Sequence, residues 1–373
     1  VHTPKLIQLY PSDKKSIELY KANIGTVEEF INELQAHPDG DFTIIQDIDF
    51  ADKEYEVGSV VISGIFDGTI KGNNHTIKNL KNATLFEQFN GEVKKLNMSM
   101  YNHGAAYYGD IYSQYVAPGQ SNRTQSYVAA FAKQSFDAKY EDMKFEKITI
   151  FGENYVAGLV SKDSYSTISR VNMKQVYINS GSNKTVGNRS AILVGEKIGG
   201  SIENCYAQGD IITEGKQCGG IVGYLHEEAS VDCTVANVYA TNKSKENATT
   251  MGMFVGEVDA TSSIKNSASI GLTASSTSSR LVGKFYGVAA TVSQIKNCYE
   301  NSSKDGTSNA QGNQIIEVDN EQLKEGKFYI DNVGLDSSIW SLDTIEERKY
   351  IESVNFYGSG SDDAPEMIFL GLK

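Results

Sequence analysis

Side-chain chemistry at neutral pH needs paired carboxylates, a nucleophile beside a base, or converging metal ligands. Two acidic groups have the first character: Asp137, Glu141 and Asp142, and Glu227, Glu228 and Asp232. Carboxylates on an exposed sheet face can cleave or eliminate glycosidic bonds. Ordinary solvated carboxylates have the same appearance in a sequence, and that is the expected reading here. The acidic run Asp47, Asp49, Asp52, Glu54 and Glu56 has calcium-binding donors but not the spacing of a dedicated loop, so a solvated strand edge is expected there. The 4 cysteines show no Cys-x-x-Cys pair, which argues against structural zinc. Cys205 and Cys298 fall at like places in repeats three apart, about 14 Å at the spacing of stacked strands, too far for a disulfide. They are expected to be buried thiols; Cys218 and Cys233 are left open, with free thiols favoured. There is no Gly-x-Ser-x-Gly elbow, phosphate loop or dinucleotide fingerprint. No catalytic residue, metal or cofactor is expected in this chain.

A third chemistry is contact. Residues 101–127 carry Tyr101, Tyr107, Tyr108, Tyr112, Tyr115 and Tyr127. Tyrosine on a protruding loop offers large amphipathic area at low entropic cost. These six are the candidate binding residues. The favoured reading is that the segment folds back and its rings pack on the body of the protein, which does not exclude binding.

The chain has 373 residues, with Lys plus Arg 34 against Asp plus Glu 47, a net charge of -13. That balance gives no footprint for nucleic acid or an anionic membrane, and no apolar run is long enough to span a bilayer. A polar start (VHTPKLIQLYPSDKK) reads as a cytosolic protein or as a mature or excised piece of a longer one. Gly is 34 and Pro 5, against about 26 and about 19 at ordinary usage. Scarce proline implies a backbone whose N–H groups are largely in use.

What would position these side chains is a repeat. AGLVS (157–161), AILVG (191–195), GGIVG (219–223), GMFVG (252–256) and SRLVG (279–283) share an apolar pair before Gly or Ser, with VAAFAK (128–133) a weaker copy. Their last residues lie 34, 28, 33 and 27 apart. Each is followed by a second signature: ISRV (168–171), IENC (202–205), VANV (235–238), IKNS (264–267) and IKNC (295–298), with VKKL (93–96) earlier. Repeats of this length, rich in Ile, Val, Thr and Tyr and lacking helical periodicity, cannot bury an apolar face alone and must stack. The expected fold is all-β: a right-handed parallel β-helix, or solenoid, of coils of about 30 residues. Stacking would align Asn204, Asn237, Asn266 and Asn297 as a structural ladder. It would also place Gly195, Gly223, Gly256 and Gly283 at tight corners.

The coils are expected over 41–313, opening with TIIQDIDF and FDGTIKGNNHTIKNL and interrupted by the insertion at about 101–127. Residues 1–40 would hold a leading strand segment and a helix. Thr26 and Glu29 form a capping box for it, and Val27, Phe30, Ile31 and Leu34 share one face. This helix would cover the first coil. Residues 314–373, with IIEVDNEQLKEGKFYI and the single Trp340, would form a closing α+β cap.

The GGIVG and GMFVG copies with their Ile-x-Asn followers resemble GLUG-type repeats of bacterial surface proteins. The succession TVEEFINEL, FTIIQDIDF, FDGTIKGNNHTIKNL and LFEQF, and the tail EQLKEGKFYIDNVGLDSSIW, resemble the N-terminal non-catalytic region of immunoglobulin A protease-type zinc metallopeptidases of Gram-positive cocci. The likeness covers roughly residues 20 to 345. That family's catalysis lies in a separate domain bearing His-Glu-x-x-His. His2, His37, His75, His103 and His226 do not reproduce it; His226-Glu227-Glu228-Ala229-Ser230 lacks the second histidine. The resemblance implies a secreted or wall-attached bacterial module, non-catalytic, monomeric, recognising or positioning a host protein such as immunoglobulin A, or a glycan. An adhesin-like binding module without a protease is the alternative, and a carbohydrate-active β-helix enzyme a further one.

Overall fold

The computed structural model describes residues 19–56, 58–99, 109–112, 127–152, 154–180, 189–213, 216–242, 250–273, 283–302, 306–310, 312, 314–342, 345, 347–349, 366–368 and 370–373. Among these the chain is mostly β, with little helix. Three sheets dominate, of 20, eight and five strands, and every pairing among their strands is parallel. One repeat shows the logic. Ser190–Ala191 enters the five-stranded sheet and Val194–Ile198 the eight-stranded one. Ser201–Glu203 and Tyr206–Thr213 then enter the long sheet.

The triplet strands explain why the stack holds together. In Thr69–Lys71, Glu92–Lys94, Ser201–Glu203 and Ser263–Lys265 the middle residue is buried. Parallel register lays these middle residues over one another: Ala22, Phe42, Ile70, Val93, Tyr140, Ile168, Ile202, Val231, Ile264 and Ile295. From Phe42 onward none is more than 1% exposed. Each such aliphatic residue contributes about 1.5–3 kcal/mol on burial, and no single repeat could provide the surface that covers it. The ladder begins at Lys21–Ile24, which pairs with Asp41–Ile44, so the parallel sheet starts before the helix rather than at residue 41.

From Glu92–Lys94 onward each triplet is followed by a residue of positive φ. Lys95, Asp142, Arg170, Asn204, Cys233, Asn266 and Asn297 have φ of 56°, 56°, 52°, 52°, 45°, 44° and 57°. This column corrects the expected alignment. The copy in the fourth repeat is Val231–Thr234, not 235–238. Asn237 lies instead inside the strand Val235–Asn242, opposite Gln208 and almost wholly buried, donating to the Tyr206 hydroxyl. Asn266 and Asn297 do bond along the stack. Asn297 Nδ2 donates to Asn266 Oδ1 (2.9 Å), and Asn266 Nδ2 donates to Asp232 Oδ1 (2.9 Å).

The glycine column is corrected in the same way. Gly195, Gly223 and Gly256 sit at the second position of in-register strands, and the next member is Gly287. Gly283 instead bridges Gly252, so the last copy is GKFYG (283–287) rather than SRLVG. Phe254 and Phe285 confirm the frame, with stacked rings 4.6 Å apart. None of Gly195, Gly223 and Gly256 has positive φ. They are glycine because of space: a Cβ on Gly223 would lie 2.5 Å from the carbonyl oxygens of both Gln217 and Gly195.

The helix forms at Val27–Ala36 with both halves of its capping box, burying Val27, Phe30 and Leu34; Ile31 is half-buried at its edge. Phe30 meets the rings of Phe50 and Phe86 edge-on. The C-terminal segment departs from expectation. Ile315–Val318 continues the parallel sheet against Cys298–Asn301. Beyond Val318 the chain packs on the flank of the stack. Leu323, Phe328, Tyr329, Val333, Trp340 and Leu370 bury themselves with Tyr206, Val235, Ala268 and Tyr299 in a second apolar cluster outside the main core. The flank is the available site because the long sheet presents that apolar row outward.

Candidate functional site

Two outward columns run side by side along the stack. The residues just ahead of the five-stranded sheet are Tyr127, Tyr155, Arg189, Gln217 and Thr250, linked by backbone bonds from each following amide to the next carbonyl, such as Val128 N to Tyr155 O and Val156 N to Arg189 O at 3.1 Å. The eight-stranded sheet presents Gln134, Lys162, Glu196, Tyr224 and Glu257 in register. Parallel pairing holds both columns at one rung per repeat, so side chains from five successive repeats meet.

Arg189 is the centre. Its guanidinium lies 5.4 Å from the Tyr155 ring centroid and 4.9 Å from that of Tyr224, a cation–π arrangement on two sides. Its Nε donates to Gln217 Oε1 at 2.8 Å, and its Nη1 donates to Glu196 Oε1. Tyr127 packs on Tyr155 at 4.6 Å. Tyr224 stacks on His226 at 4.3 Å, and His226 Nε2 lies 2.8 Å from Glu196 Oε1. Gln217 Nε2 donates to Glu257 Oε2 at 2.8 Å. Tyr155 and Gln217 take φ of 51° and 59°, a conformation that costs non-glycine residues about 1–2 kcal/mol. The surrounding contacts hold them there.

The Glu196 carboxyl is almost wholly buried. Burial would raise its pKa, but the His226 hydrogen bond and the charges of Arg189 and Lys162 outweigh that and lower it. Burial raises the phenols of Tyr127, Tyr155 and Tyr224, so they remain neutral. The result is a fixed strip of aromatic rings, amide groups and balanced charge, buried at Tyr155 and Glu196 and partly open at Tyr127, Gln217 and Tyr224. Groups of these types are able to stack, hydrogen-bond and pair charge with a ligand.

The structure scatters the residues singled out from sequence. Of the six tyrosines, Tyr101, Tyr107, Tyr108 and Tyr115 lie outside the described residues. Tyr112 ends the strand Gly109–Tyr112, which pairs with Ile148–Phe151; that part of the insertion therefore belongs to the long sheet. Tyr127 joins the strip. The structure does not gather Asp137, Glu141 and Asp142 as free acids. Arg170 donates to both Glu141 and Asp142, and Lys94 Nζ lies 2.7 Å from Glu141. Asp232 accepts from Asn266, Glu227 from the Tyr165 hydroxyl at 3.2 Å, and the Glu228 amide donates to Thr261. In the acidic run, Asp47 pairs with Lys78 and Asp49 accepts from Asn79 at 2.7 Å. Among the described residues no three His, Cys, Asp or Glu converge as metal ligands, and no helix is long and apolar enough to cross a membrane. All four cysteines are free thiols. Burial pushes Cys205 and Cys298 up to about 12 and Cys218 to about 11. Burial and then Asp232 push Cys233 to about 12, so none is a thiolate nucleophile at neutral pH.

Tyr155, Arg189, Glu196 and Tyr224 were not singled out in the sequence, and His226 only as the start of an incomplete zinc motif. A signal existed for the first column: a large polar or aromatic residue stands immediately before VAGLV, SAILV and CGGIV in turn.

No family model matches the chain, and no curated protein does. Among the solved structures that resemble it are two described as immunoglobulin A1 proteases. One is described as a "putative immunoglobulin A1 protease from Bacteroides ovatus", with a TM-score of 0.47 and 16% identity over 90% of this chain and 91% of that one. The other, described as IgA1 protease, gives a TM-score of 0.43 and 14% identity over 82% of this chain and 22% of that one. At these values the likeness assigns neither fold nor function.

Proposed function

We propose that the chain is a non-catalytic, right-handed parallel β-helical module of an exported bacterial surface protein, and that it recognises or positions a host ligand. The paired strands described between residues 21 and 318 form its body, and the described residues after 318 are a flank-packed appendage. The carrying observation is the strip centred on Arg189, in which side chains of five successive repeats are brought together by register rather than by a loop. The sequence resemblance to non-catalytic regions of immunoglobulin A protease-type metallopeptidases supports a place beside such an enzyme, with immunoglobulin A as the first ligand to test.

The test is direct binding of the purified chain to immunoglobulin A and to an array of host glycans. Lys162→Glu with Glu257→Lys reverses charge at two partly exposed positions of the strip. Retained far-ultraviolet dichroism with at least about tenfold weaker binding, roughly 1.4 kcal/mol, supports the reading. Unchanged affinity removes the strip from it. Binding confined to glycans moves the ligand class to carbohydrate, and degradation of any glycan refutes the non-catalytic assignment.

A further inference from the structure

One ionisable pair lies inside the stack rather than on it. Ser135, Asp163 and Lys197 occupy one inward column, flanked in register by Phe89 on one side and by Leu225 and Val258 on the other. Asp163 and Lys197 are directly opposite on adjacent strands, and both side chains are 0% exposed. Lys197 Nζ donates to Asp163 Oδ2 and, at 2.7 Å, to the Ser166 carbonyl. Ser135 Oγ donates to the other carboxyl oxygen of Asp163.

Two facts make this pair unusual. An ion pair out of water incurs several kcal/mol per charge, and Coulomb attraction often fails to recover it. The neighbouring apolar rungs show that the same column accepts hydrophobic side chains. Lys197 also resides where burial lowers its pKa, an effect Asp163 only partly opposes. A lysine held beside a carboxyl carbon in a dry site is in position to act as a nucleophile.

We propose that Asp163 and Lys197 condense into an intramolecular isopeptide bond joining two successive repeats. Within the pair one proton passes from the Lys197 ammonium to the Asp163 carboxylate, leaving a neutral amine and a neutral acid. The Nζ lone pair attacks Cγ, the C–OH bond breaks, and the hydroxyl leaves as water with a proton from Nζ. An amide replaces two buried charges, and no oxidant or co-reactant is consumed. Ser135 polarises the carboxyl by donating to Oδ1, and the Ser166 carbonyl orients the amine. Both partners are held within contact distance, which provides the large effective concentration such a step needs.

The test is the mass of the intact, denatured chain. The linked protein is about 18 Da lighter than its sequence, and trypsin leaves a branched peptide uncut after Lys197. Asp163→Asn loses ammonia instead and converges on the same linked mass, about 17 Da below its own sequence. Lys197→Met keeps its full sequence mass whether or not it folds. A folded wild-type chain that retains its full mass, with normal cleavage after Lys197, overturns the proposal and leaves a buried ion pair.

Discussion

Tyr206 and Trp340 meet edge to face with ring centroids 6.2 Å apart, both fully buried. Tyr206 faces out from the long sheet, so this contact fastens the C-terminal segment to the flank of the stack. Trp340 is the single tryptophan and reports on that contact. Replacing Tyr206 with Ala should cost about 3–5 kcal/mol locally. The segment should then detach before the stack unfolds. The expected result is red-shifted Trp340 emission in a denaturant range where far-ultraviolet dichroism is unchanged; coincident transitions would refute a separable appendage.

Gly223→Ala should destabilise the chain by about 1–3 kcal/mol or more, because the added methyl meets backbone on two sides and neither strand can retreat alone. Chemical denaturation with an unchanged slope and a lower midpoint is the expected observation. A midpoint equal to wild type would mean that adjacent repeats are looser than the register implies.

Glu196 has a lowered folded-state pKa, against about 4.3 when unfolded. Its contribution is therefore fully present above about pH 4.3 and lost as pH falls through the folded value. Glu196→Gln should flatten the stability decline below that pH. At neutral pH it should cost about 1–3 kcal/mol, since Arg189 and His226 lose their anion. Asp259 acts with the same sign, so its loss adds to the acid decline below about pH 3.9. Burial would raise it, but bonds from the Glu227 amide, Thr261 and Ser262 hold it at about 2, so it stays ionised through most of that range. Thermal melts from pH 6 to 3 measure the difference.

Lys95 is exposed and holds φ of 56°, at a column position where three other repeats use Asn. Asparagine tolerates that conformation better. Lys95→Asn should raise stability by up to about 1 kcal/mol, read as a higher melting temperature with no change in dichroism. A lower melting temperature would mean that the lysine side chain matters more there than the backbone does.

Period-two alternation and the recurrence of short apolar motifs were enough to read a mostly β chain of parallel sheets, because burial on one side of a strand leaves a local mark. The Thr26–Glu29 helix start was legible for the same reason: its capping contacts span three residues. Alignment between repeats was only partly legible. Cys233 replaces Asn at a turn, and GKFYG resembles the other marks less than SRLVG does. Register is decided by which side chains stack across repeats, as Phe254 and Phe285 do, and that is a contact between segments about 30 residues apart. The strip around Arg189 and the buried Asp163–Lys197 pair share this origin. Each residue is ordinary in its own segment, and only parallel stacking at one rung per repeat brings Tyr155 to Arg189 and Asp163 to Lys197. Local chemistry in the sequence determined the strands and the helix; the summed register of the stack decided which functional groups face each other.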